Sequence, residues 1–181
     1  MINSIKAYYW RKVKKLSWYE ISKEKKLSMS FMSRFMYQLD WDAISEYQKL
    51  SEKSMREFED LVDWFEISKH QNLSEKFISK FKYKVLWMLI CEYQELSEDF
   101  IKEHLGFINW RHICKYQLLS EDFIRKFQHR VDWDCVSANQ YLSRDFIIEF
   151  IDQIDIILLK HNDTLSDELK EEMILLKKLV G

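Results

Sequence analysis

The sequence predicts an all-α solenoid of tandem 23-residue two-helix repeats with a longer capping helix at the C-terminal end. Three observations carry that prediction. Six tryptophans, Trp18, Trp41, Trp64, Trp87, Trp110 and Trp133, stand 23 residues apart. A Leu-Ser pair keeps the same step from Leu27-Ser28 to Leu165-Ser166. The 181 residues include no Pro and only two Gly, fewer than sheet proteins and Gly-loop enzymes usually need for their turns. A repeat of this length is a unit that buries its apolar face on its neighbours.

Within one unit, Leu119 to Tyr141, the side chains fall into two helical faces. Phe123, Ile124 and Phe127 share the first face, because residues four apart stack on one side of a helix. Trp133 and Val136 share the second. Each face follows a start signal. Ser120 precedes the first, with Glu121 and Asp122 in its opening turn, where a hydroxyl caps free N–H groups and acids suit the positive end. Asp132 precedes the second, and Asp40, Asp63, Asn109 and Asp155 repeat that cap. Each unit therefore predicts two helices of roughly 7–9 residues, too short to hold alone, so neighbour packing must stabilise them. Leucine-rich repeats share the period but alternate as strands, and the caps interrupt any coiled-coil seam twice per unit.

The chain reads as one repeat domain over residues 1–181. A degenerate first unit spans 4–26, with Tyr8 and Tyr9 in the Phe-Ile positions, Ser17 as the cap and Trp18 as the Trp. Regular units follow at 27–49, 50–72, 73–95, 96–118 and 119–141. The unit at 142–164 has Ile156 in place of the Trp. Leu165, Leu169, Met173, Leu176 and Val180 then fit one amphipathic helix over 165–181, which would cap the stack.

Composition excludes several classes. A formal charge of −2 argues against a general nucleic-acid binder. Cys91, Cys114 and Cys135 are too few for a disulfide framework and indicate a reducing, cytoplasmic setting. Cys91 and Cys114 replace the same Ser in adjacent units, which reads as small buried residues. The N-terminus lacks a signal-type apolar core, and no apolar run is long enough to cross a bilayer. No nucleophile–base set, paired-carboxylate pocket or phosphate loop is present, so the chain is expected to be no enzyme and to need no cofactor.

The phrases Leu119 to Ile124 (LSEDFI), Val131-Asp132-Trp133 and Ile44 to Glu52 (ISEYQKLSE) resemble short helical repeats of largely uncharacterised proteins of large DNA viruses and phages. The resemblance covers nearly the whole chain. It implies a viral or mobile-element origin and transfers no catalytic residues. As a family-level expectation it points to docking on a host protein in the host cytoplasm and inhibiting it, a defence nuclease complex being one such target. Ser54 and His104 depart from the pattern by replacing Phe, and Leu86 by replacing the Asp cap.

Candidate sites follow from departures within the repeat. The two residues after each Trp should face outward: Asp42-Ala43, Phe65-Glu66, Met88-Leu89, Arg111-His112 and Asp134-Cys135. Phe65, Met88 and Leu89 thus predict an apolar patch, with Glu66, Lys69, Glu92, Arg111, His112 and Lys115 around it. Such patches mark partner surfaces or, in a structural virion protein, self-association; the alternative is tight packing between repeats. The basic first unit carries Lys6, Arg11, Lys12, Lys14 and Lys15 beside Tyr8, Tyr9 and Trp10. It is either a nucleic-acid contact or a solvated helix whose aromatics pack on the next unit. Gln48, Gln71, Gln94, Gln117 and Gln140 recur with the Trp, which favours a structural role in bonding backbone over a row of amides offered to a peptide. His104 reads as a satisfied core histidine. His112, Cys114, Cys135 and His129 do not converge as ligands, because residues two apart on a helix face different ways, so no metal is expected.

Overall fold

The computed structural model describes residues 2–180, Val180 by its backbone alone. The side chain of Val180, and Gly181, both assigned above to the last helix, lie outside the described residues. Among the described residues every regular element is a helix. They fall into two compact units, Met1–Ile90 and Cys91–Gly181, each a stack of two-helix repeats.

The first unit opens with α1 (Ile2–Tyr8), which widens into a π-helical turn at Tyr9–Val13. It continues through α2 (Trp18–Glu24), α3 (Met29–Arg34), α4 (Trp41–Tyr47), α5 (Glu52–Glu57), α6 (Trp64–His70) and α7 (Glu75–Lys80). The division between units falls inside α8 (Trp87–Tyr93). The second unit then holds α9 (Glu98–Glu103), α10 (Trp110–Tyr116), α11 (Glu121–Lys126), α12 (Trp133–Asn139), α13 (Arg144–Glu149), α14 (Ile156–Lys160) and α15 (Asp167–Val180). The Trp-bearing helices stack on one another: α2 on α4 on α6 in the first unit, α10 on α12 in the second, with α14 and α15 continuing the stack.

Caps explain where each helix starts. The hydroxyls of Ser28, Ser74, Ser97, Ser120 and Ser143 accept from the backbone N–H three residues on, at 3.1–3.2 Å. Asp40, Asp63, Asn109, Asp132 and Asp155 cap the Trp-position helices in the same way. Ser17 forms a full capping box with Glu20. Leu86 supplies no such side chain; its N–H donates to Ser68 Oγ at 3.0 Å, as the Asp N–H of other repeats does to the preceding Ser. The second helix of each regular repeat is seven residues long, within the expected range, and the first is six, slightly shorter than the spacing suggested. The reason lies at the ends: Phe58 and its equivalents leave the helix with ψ near 28° to start a turn, while Gln71 and its equivalents leave it extended.

The core is a column of rings. Trp41 meets Phe58 at 4.8 Å, Trp110 meets Phe127 at 5.3 Å and Trp133 meets Phe150 at 5.0 Å, always one repeat onward. Ile44, Ile67, Ile90, Ile113 and Val136 sit beneath with no exposed surface. Burying one such side chain contributes about 1.5–3 kcal/mol. His104 stacks on Phe100 at 4.2 Å and its Nδ1 lies 2.9 Å from the Phe100 carbonyl, so this buried histidine is satisfied. At the end, α15 packs on α13 and α14, with Met173 and Leu165 buried. The Lys177 ammonium donates to the Ile154 carbonyl.

The first unit departs from its reading in one respect. Tyr8 and Tyr9 are exposed rather than in the Phe-Ile positions. The π-helical turn shifts the register, so that Ala7 is buried and Trp10 meets Phe31 at 5.4 Å in their place.

Candidate functional site

The glutamines hold the stack together. Gln71 Oε1 accepts from Leu50 N at 2.9 Å, and Gln71 Nε2 donates to the carbonyls of Ser45 and Gln48 at 2.8 and 2.7 Å. Gln48, Gln117 and Gln140 repeat the pattern, each reaching back to the preceding repeat. Asn162 continues it at the last turn, donating to Ser137 and Gln140. A serine ladder runs beside them. Ser45 Oγ donates to the Trp41 carbonyl at 2.7 Å and accepts from Asp63 N at 3.0 Å, and Ser137 does the same with Trp133 and Asp155. These amides and hydroxyls belong to the scaffold.

Cys91 and Cys114 take the serine position and are buried without exposed surface. Burial pushes the Cys114 thiol up to about 12, although the N–H of Asp132, bonded to the sulfur, works the other way. Burial raises the Cys91 and Cys135 thiols as well. A neutral, enclosed thiol is neither nucleophile nor ready ligand. His129 is exposed, apart from this buried row.

Of the anticipated patch, Phe65, Glu66, Lys69, Met88 and Leu89 lie in the first unit. Phe65 is 45% and Met88 51% exposed. Leu89 is not an outward residue: it is 6% exposed and belongs to the core. One helical step carries a side chain about 100° round. The residue after the Trp therefore points away, and the next swings into the stack, as Ala43 and Cys135 also do. The apolar excess around Val85 and Ile90 is likewise core packing, for both are buried. Glu66 is half-buried, with its Oε2 3.2 Å from His70 Nε2. The sequence reading missed Tyr19, which holds the same position after Trp18 and is 46% exposed. Its signal was the Trp register itself, hidden by the irregular first unit.

Glu92, Arg111, His112 and Lys115 lie in the second unit. Arg111 pairs with Asp132 at 3.4 Å, and His112 Nε2 lies 3.9 Å from Glu92 Oε2. Lys115 Nζ sits 4.7 Å from the Tyr116 ring centre, and hydrogen bonding to that phenol raises its pKa.

The basic group is fully outward. Lys6, Arg11, Lys12, Lys14 and Lys15 are exposed, as are Tyr8 and Tyr9. Arg11 is partly committed: its guanidinium donates to the Leu16 carbonyl and lies 5.7 Å from the Trp18 ring centre. Lys15 takes a φ of 58°, the left-handed region, where the chain turns from the π-helical segment toward α2.

The fold and these surfaces define a helical tandem-repeat protein. Compared with known proteins, the chain matches no family model, no curated protein and no solved structure. No helix among the described residues is long and apolar enough to cross a membrane.

Proposed function

We propose that the chain is a non-catalytic interaction scaffold that captures a protein partner on the residues following the Trp positions of its first unit. The observation that supports this reading is the outward pair Phe65 and Met88, about half exposed, at positions where other repeats carry Asp42, Arg111 and Asp134. Tyr19 extends the set. Apolar anchors within a charged surround are how interfaces concentrate binding energy. The resemblance to viral repeats makes a host protein in the cytoplasm, inhibited on capture, the partner of choice. A second copy of this chain would use the same anchors.

The test is the double variant Phe65→Ser, Met88→Glu. Neither side chain is in the core, so the helical circular dichroism should be unchanged. Capture of host proteins by the immobilised chain, identified by mass spectrometry, should be lost, as should any oligomer seen by light scattering. A folded variant that retains the same captured set would refute the reading.

One observation supports a second reading. Tyr8 and Tyr9 face outward among exposed lysines instead of packing on the next repeat, the arrangement that single-stranded nucleic acids use for stacking. Reversing Lys12, Lys14 and Lys15 to Glu separates the two. It should abolish salt-sensitive retention on single-stranded DNA or RNA if nucleic acid is the ligand. It should leave protein capture intact otherwise.

A further inference from the structure

Three ligating side chains converge in the first unit where the sequence placed no metal. Glu66 and His70 lie four residues apart on α6, the spacing that sets two side chains on one helical face. Glu46 reaches them from the last turn of α4, the helix packed against α6. One ligating atom from each of the three lies within 4.8 Å of the others. The His70 Nε2–Glu66 Oε2 distance is 3.2 Å. In a tetrahedral zinc site with bonds of about 2.0–2.2 Å, neighbouring ligand atoms stand roughly 3.3–3.5 Å apart, so this ion-paired contact needs to open only slightly to admit an ion.

The repeat itself shows that the fold does not require these residues. The positions of Glu66 hold Ala43, Leu89 and Cys135 in other units, and those of His70 hold Tyr47, Tyr93 and Tyr116. Lys69 and Lys115 stand where Glu46 stands. The full Glu-Glu-His set occurs at this one repeat. Beside it opens a cavity of about 420 Å3 whose lining includes Glu46, Tyr47, His70 and Asn72. It leaves room for a further ligand on the open side.

We propose that Glu46, Glu66 and His70 bind a divalent transition-metal ion, with Zn2+ the best fit. Imidazole nitrogen with two carboxylates is a borderline donor set, suited to Zn2+ and to Co2+ as its spectroscopic substitute. Water would complete the coordination from the cavity.

The test titrates the intact chain with Zn2+ alone near neutral pH, by calorimetry and by thermal melting. One ion per chain should bind and raise the melting temperature. His70→Tyr and Glu46→Lys restore residues that other repeats carry, so both should fold as the wild type does by circular dichroism. Each should weaken Zn2+ binding by more than about 100-fold, beyond the 10–100-fold that outer-sphere changes cost. The Co2+ derivative should show d–d bands without a thiolate charge-transfer band. Absence of binding at millimolar Zn2+ would overturn the proposal. So would wild-type affinity in His70→Tyr, or a thiolate band, which would move the ion to the cysteines.

Discussion

At the scale of single residues, one amide side chain does the work of a short strand. Gln140 is 2% exposed and satisfies Leu119 N and the carbonyls of Cys114 and Gln117. Gln140→Leu strands one donor and two acceptors in the interior and should cost about 3–5 kcal/mol, at 1–3 per orphaned group with some relaxation. Gln48→Leu should cost less, because Gln48 is only half-buried and water can take over its partners. Urea midpoints of the two variants give the comparison; equal losses would mean that burial does not set the cost. Cys114 makes a second prediction. Its folded thiol titrates near 12, whereas an unfolded one titrates near 8.5. Above the lower value the unfolded chain binds fewer protons, so stability falls as pH rises. The contribution is complete below about pH 8.5 and is lost progressively toward pH 12. Cys114→Ser, the residue of Ser45 and Ser137, removes that slope. Denaturation at about pH 8 and about pH 10 should show the variant gaining on the wild type. The glutamine period was legible in the sequence, but not its partners: they depend on the extended backbone at each Gln, which sends the side chain back one repeat.

At the scale of elements, caps were legible and lengths only in part. Ser and Asp mark each start through their own chemistry, so Ser120 and Asp132 could be placed directly. The ends are set by tertiary packing at Phe127 and Gln140, which a local pattern does not report. Leu89 was misplaced for a similar reason. The periodicity located the core face at Trp87 and Ile90, but how far the next helix closes over its flank depends on the stacking. The last helix was legible because its apolar stripe runs on without an internal cap. Removing residues 165–181 should uncover Ile154 and Leu159, now 1% and 0% exposed, and the truncated chain should aggregate by light scattering. A monomeric truncation with an unchanged melt would show that α15 caps nothing.

At the scale of the whole molecule, the repeat decides what composition alone could not. Without Pro, and with Gly only at Gly106 and Gly181, the chain makes its turns from ordinary residues held by ladders of Gln, Ser and Trp. The fold class was therefore readable from spacing. The outward apolar side chains were readable in part, since Phe65 and Met88 are visible against the pattern while Tyr19 is hidden in an irregular unit. The Glu46, Glu66 and His70 group was not readable at all, because it needs the offset by which α4 docks on α6. The ladder also limits how such a chain changes length. Gln48, Gln71, Gln117 and Gln140 each reach partners at separations of 21, 23 and 26 residues. One inserted residue between a Gln and its targets breaks all three separations, while a whole extra repeat reproduces them. A change in length by one complete repeat should thus leave the ladder intact, whereas a single-codon insertion within a repeat should destabilise it.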